Sequence, residues 1–219
     1  MRARVARVGG WVIVAGLLSS TAEAAPARSG AQLEGSVGAS VCIPGRADCT
    51  RSALPVTGRM QPSFGGGVAV GARPRPWIAF MAMYRAGMFD PDYVDIDGDV
   101  LEYVLQHTAG VGVRPILPIW RFDLGLQLGA AYSRQTAGYR EPGRRDYTQG
   151  FSIVTGVTVD LFVTDHVFVG AGADMIFDIH GVSCRRTSST TTCGRASELS
   201  SFTPNHQLLF GLRVGTTFG

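Results

Sequence analysis

The sequence predicts an all-β protein: a closed, antiparallel, up-and-down transmembrane β-barrel of eight strands. Three observations predict it. Eight segments alternate apolar residues with small or polar ones at a period of two. The connections between them alternate between short and long. Beyond the N-terminus, no apolar run is long enough for a membrane-spanning helix, whereas a barrel spreads its apolar residues over short alternating strands.

The segments follow in chain order. Residues 32–42 set Leu33, Val37, Ala39 and Val41 against Glu34, Ser36 and Ser40. Residues 64–73 set Phe64, Val68, Val70 and Ala72 against three glycines, Ala69 and Arg73. Residues 77–88 set Ile78, Phe80, Ala82, Tyr84 and Met88 against Arg85 and two methionines. Residues 101–114 set Leu101, Tyr103, Leu105, Ala109, Val111 and Val113 against Glu102, Gln106, Thr108, Gly110, Gly112 and Arg114. The fifth segment, 121–134, has Phe122, Leu124, Leu126, Leu128, Ala130 and Tyr132 on one parity and Arg121, Asp123, Gln127 and Ser133 among small residues on the other. Residues 151–163 oppose Phe151, Ile153, Val157, Val159, Leu161 and Val163 to Ser152, Gly156, Thr158 and Asp160. Residues 167–179 oppose Val167, Val169, Ala171, Ala173, Met175, Phe177 and Ile179 to Gly170, Gly172, Asp174 and Asp178. Residues 206–218 oppose Leu208, Phe210, Leu212, Val214 and Phe218 to Gln207, Gly211, Arg213 and Gly215. These lengths suit strands that must cross a bilayer in about 9–11 residues, and bacterial barrels have an even strand count.

Connections at 73–76, 115–119 and 164–166 read as short turns, two of them proline-rich. Those at 43–63, 89–100, 135–150 and 180–205 read as long polar loops. Short turns on one rim and long outward loops on the other are the barrel pattern. The faces then assign themselves. A water-soluble barrel with its apolar face inside would need long solvated side chains outside. Here the second face is mostly Gly, Ala, Ser and Thr, which fit the inside of a narrow eight-stranded barrel. Trp120, Phe122 and Phe218 fall toward the short-turn rim, and Tyr84, Tyr103, Tyr132, Phe151 and Phe177 toward the other, as two interfacial belts would.

Residues 1–24 read as a secretory signal: Arg2, Arg4 and Arg7, a short apolar run, then Ala22-Glu23-Ala24. Residues 25–219 form the barrel domain. The mature chain is nearly neutral, which gives no electrostatic case for a nucleic-acid partner. In an exported chain the four cysteines favour two local disulfides, Cys42 with Cys49 and Cys184 with Cys193.

Stretches such as "GVGVRPILPIWRFDLGLQLGAAYSR", "GFSIVTGVTVDLFVTDHVFVGAGADMIF" and the final "LLFGLRVGTTFG" resemble the small eight-stranded outer-membrane β-barrels of the OmpA/OmpX type. The resemblance implies export to the outer membrane of a Gram-negative bacterium and contact with its lipid and lipopolysaccharide. It also implies insertion by the barrel-assembly machinery, which reads a C-terminal aromatic; here Phe218 is penultimate.

The enclosed parity carries Glu34, Arg73, Arg85, Glu102, Arg114, Arg121, Asp123, Asp160, Asp174, Asp178 and Arg213. Near balance of sign predicts an ionic plug of arginine–carboxylate pairs, with a narrow solute pathway as the rival. Arg213 is expected to find Glu34 or Asp174. The acidic stretch Asp90, Asp92, Asp95, Asp97 and Asp99 lacks EF-hand spacing. The loops carry Arg46, Arg51 and Arg59, Arg140, Arg144 and Arg145, and Arg185, Arg186 and Arg195, which suit phosphate. His107 lies on the lipid parity. The lipid A deacylases place a serine two residues from such a histidine, but here that position is Ala109. His166, His180 and His206 fall at strand ends. No catalytic residue, cofactor or metal is expected, and the role is structural or surface-interactive, as a monomer.

Overall fold

A computed structural model describes residues 28–43, 49–51, 58–92, 100–195 and 205–219. The signal segment 1–24, Arg46, and Asp95, Asp97 and Asp99 lie outside the described residues. Eight long strands form the barrel: β1 (Gly30–Cys42), β3 (Gly58–Arg75), β4 (Ile78–Asp92), β5 (Leu101–Ile119), β6 (Phe122–Tyr139), β7 (Arg145–Phe162), β8 (Val167–Arg186) and β10 (Gln207–Phe218). Two short strands, β2 (Thr50–Arg51) and β9 (Thr191–Arg195), pair with β3 and β8 at their outer ends. Each long strand pairs antiparallel with the long strands before and after it, the short β2 and β9 intervening in sequence between β1 and β3 and between β8 and β10. The ring closes because β1 pairs both with β3 and with β10. Closure leaves no edge among the long strands, so every ladder group can find a partner.

Burial follows the alternation. Along β6, Asp123, Gly125, Gln127, Ala131, Ser133 and Gln135 are buried, while Leu124, Leu126, Leu128 and Tyr132 are exposed. Val37, Val68, Phe80, Val111, Val157, Leu212 and Val214 extend the exposed apolar face around the ring. From Phe122 to Tyr132 this band is about 25 Å tall, taking about 3.3 Å per residue and the usual strand tilt. That is the height of the apolar band on membrane barrels.

The strands are longer than the alternation indicates, and the differences have physical causes. Residues 115–119 are strand rather than turn. Pro115 pairs with Ile78, and Ile116 through Ile119 pair with Gly125 through Phe122. The hairpin is only Trp120 and Arg121, with Trp120 at φ 51°. Arg121 is therefore exposed in the turn and not enclosed. At the other rim β6 runs on to Tyr139 and β7 begins at Arg145, so the expected sixteen-residue loop shrinks to residues 140–144. Above the outer apolar band the enclosed face carries an apolar cluster of its own, with Met60, Phe89, Leu101, Val104, Ala137 and Tyr139 buried, so apolar residues no longer mark the outward parity. The ladder continues there while the period-two signal fades.

Glu102 also departs from its expected place. A register shift between Leu101 and Tyr103 puts Leu101 inside and Glu102 outside. A bulge reverses parity beyond it, which alternation cannot anticipate.

Both disulfides are present, Cys42–Cys49 at the outer end of β1 and Cys184–Cys193 across the β8–β9 hairpin. Non-reducing peptide mapping of the purified protein should recover these two pairs. Alkylation of all four thiols without reduction would rule them out. Each closes a short loop, contributing about 2–3 kcal/mol on the chain-entropy model.

Candidate functional site

The enclosed face is the one concentration of chemistry among the described residues, and it has two levels. The level nearer the short turns is ionic. Glu34 on β1 is its centre. It accepts a two-pronged contact from Arg114 on β5, Nη1–Oε2 2.7 Å and Nη2–Oε1 2.8 Å. Arg213 on β10 reaches the same Oε2 at 2.7 Å, and Arg85 on β4 stands 4.0 Å from Oε1. Arg85 also donates to Asp174 at 2.8 Å, and Nε of Arg213 lies 3.6 Å from Asp160. Asp174 thus engages Arg85 rather than Arg213, because the register sets their heights. Asp123 on β6 joins two more cations, Arg28 and Arg73, each at 2.5 Å.

Glycine makes this crossing possible. A Cβ on Gly67 would come within 2.6 Å of the Arg85 Cδ, one on Gly125 within 3.0 Å of the Arg114 Cδ, and one on Gly172 within 2.9 Å of the Arg213 Cδ. The small residues of the enclosed parity are the floor over which arginine stems lie.

Arg28 escaped the sequence reading because it precedes the first strand. It is buried, bonds the Trp120 carbonyl as well as Asp123, and lies 4.2 Å over the Phe162 ring. Phe162 in turn packs on Phe168. The chain before β1 therefore stops the short-turn mouth. Continuing the alternation two residues upstream of Gly30 would have marked Arg28 as enclosed.

The level nearer the loops is built from neutral polar groups around Asp178. Its carboxylate accepts from Ser133 at 2.5 Å, Ser152 at 2.6 Å, Gln106 at 2.9 Å and Gln135 at 3.0 Å. His180 lies inside β8, not at a strand end. Its Nε2 is 2.7 Å from the Ser133 hydroxyl, and its Nδ1 is 2.8 Å from Thr148. The alternation places these residues inside but cannot show their convergence. A serine, a histidine and an aspartate meet here without forming a nucleophilic relay. In such a relay the carboxylate holds the imidazole nitrogen remote from the serine. Here Thr148 holds that nitrogen and Asp178 sits on the serine itself. The side chains of Ser133, Ser152 and Asp178 are fully enclosed. Among the described residues no group of three or more His, Cys, Asp or Glu could hold a metal ion.

Little space remains around the ionic level. A cavity beside Arg85, Asp174 and Arg213 measures about 20 Å³, and one beside Arg73, Arg114, Asp123 and Asp160 about 10 Å³. Either is near the size that admits a single water. His107, on the outer face, is bonded through Nδ1 to the Tyr84 hydroxyl at 2.5 Å.

No protein-family model matches the chain, and no curated protein matches it in sequence. Solved structures do match in shape. A major outer membrane protein from Thermus thermophilus superposes with a TM-score of 0.63 at 12% identity, covering 87% of this chain and 99% of that one. The outer membrane protein OprG from Pseudomonas aeruginosa gives 0.55 at 9% identity, covering 85% and 96%. Neisserial surface protein A gives 0.51 at 12% identity, covering 87% and 97%. At such identities the likeness is one of architecture: the chain has the fold of the small outer-membrane β-barrels.

Proposed function

We propose that this is an exported outer-membrane protein of a Gram-negative bacterium that serves as a closed structural platform. It steadies the envelope or presents its outward rim for adhesion or binding, and it carries out no catalysis. The signal segment directs export, the barrel-assembly machinery inserts it, and the monomer sits in lipid. Nucleic acid is no partner. The exposed apolar band and the fold of the structural neighbours support the location.

The observation that carries the closed-platform reading is the filled lumen. Five arginines (Arg28, Arg73, Arg85, Arg114 and Arg213) interlock with Glu34, Asp123, Asp160 and Asp174, and the adjoining cavities are water-sized. Eight strands leave just enough interior for side chains. Reconstituted into planar bilayers, the protein should give no steady conductance. A steady, ion-selective current that Arg213→Ala alters would replace this reading with that of a narrow channel.

A further inference from the structure

The outer face changes character just above the upper aromatic belt. On β6 the exposed apolar series ends at Tyr132, and the next outward residue is Arg134. It stands about 5 Å further along the barrel axis, given the rise per residue and the strand tilt. Arg134 pairs in register with His107 on β5, and its guanidinium lies 3.9 Å from the centre of the Tyr147 ring. Four residues further out, Arg145 on β7 is directly opposite Arg186 on β8. Arg134, Arg145 and Arg186 are all exposed, and none makes an ion pair among the described residues. Two like charges directly opposite in a sheet repel, so an anion bound between them would relieve the pair.

The rim is divided by sign. Asp90 and Asp92 occupy the outward face of β4, with Glu102 exposed on β5, while the sector over β6 to β8 is basic. A guanidinium stacked on tyrosine keeps its N–H fork free for a planar or tetrahedral anion. The height is that of lipid headgroups, beside the apolar band rather than in the lumen or on the loop tips.

Resting on the outer-membrane reading above, we infer that Arg134, Arg145 and Arg186, with His107 beside Arg134, form a site for the phosphates of outer-leaflet lipopolysaccharide. The acyl chains of that lipid would lie along the apolar wall below, against Tyr132 and Phe151. Arg134 takes the phosphate nearest the hydrocarbon, and Arg145 with Arg186 a phosphate further out. The nitrogen left to His107 for an anion is Nε2, because Tyr84 holds the other.

The test uses the folded protein in phosphatidylcholine vesicles doped with purified lipid A, in bisphosphorylated or fully dephosphorylated form. The wild type is compared with the Arg134→Ala/Arg145→Ala/Arg186→Ala variant, and insertion is scored in the same vesicles by the heat-dependent gel shift. Bisphosphorylated lipid A should bind the wild type at least tenfold more tightly than the variant. The dephosphorylated lipid should bind both equally weakly. Equal binding of bisphosphorylated lipid A to both inserted proteins would overturn the site and leave the membrane reading intact. Displacement of the lipid by millimolar inorganic phosphate would show a general anion site and overturn the assignment to lipid. A wild type that fails to insert would instead overturn the membrane reading.

Discussion

Replacing Glu34 with alanine should lower the unfolding temperature of the folded barrel in detergent further than any other single substitution in the lumen. Glu34 holds Arg114 through two bonds and Arg213 through one, with Arg85 at 4.0 Å. Without it, Arg114 loses both its carboxylate contacts. Arg213 keeps only Asp160 at 3.6 Å, while Arg85 retains Asp174. Stranding one buried charge costs about 3–5 kcal/mol. The reverse change, Arg213→Ala, removes a cation from a network in which cations already outnumber carboxylates. It leaves Glu34 on Arg114, so its effect should be smaller. Glu34→Gln keeps the shape and one acceptor and should fall between the two. Thermal melts followed by far-ultraviolet circular dichroism would give this order. High salt should not rescue Glu34→Ala, since enclosed pairs are poorly screened. A melt of Glu34→Ala equal to wild type would mean that the network does not hold the strands in place.

The ionic level was largely legible in the sequence because lipid and lumen impose opposite demands on successive residues. Arg73, Arg85, Arg114, Asp123, Asp160, Asp174 and Arg213 all stand on the enclosed parity of their strands. What parity cannot supply is height. Pairing Arg213 with Glu34 and Asp160, and giving Asp174 to Arg85, depends on a register fixed by closure of β1 on β10. Nor can parity survive an inserted residue. At the start of β5 one bulge sends Leu101 inward and Glu102 outward. The convergence of Ser133, Ser152 and His180 on Asp178 was invisible for the same reason as the height of Asp174: three strands must meet at one level. Strand ends were least legible, since above the apolar band neither face is distinguished by lipid. Arg28, Arg134 and Arg186 all lie in such margins, and both the stopped mouth and the basic sector of the rim depend on them.

The orientation of the two faces makes a second large prediction, for Leu126→Arg. Leu126 lies near the middle of the apolar band on β6, exposed and opposite Val157. In a bilayer an arginine there meets hydrocarbon, at a cost of roughly 2–4 kcal/mol near the midplane of a membrane barrel. Refolding into lipid vesicles should therefore yield much less folded barrel than wild type. Thr136→Arg, on the same face of the same strand but above the aromatic belt, should fold almost normally, because the penalty falls to about 0–1 kcal/mol near the interface. Gln127→Arg is a poor control, since Gln127 is fully buried and already bonded by Arg114 at 3.0 Å. The depth dependence decides between the readings. A water-soluble barrel would gain solubility from an arginine at either outward position, and its folding would not distinguish Leu126 from Thr136. Equal folded yields for the two variants in vesicles would place the apolar face in water. A loss confined to Leu126→Arg would place it in lipid.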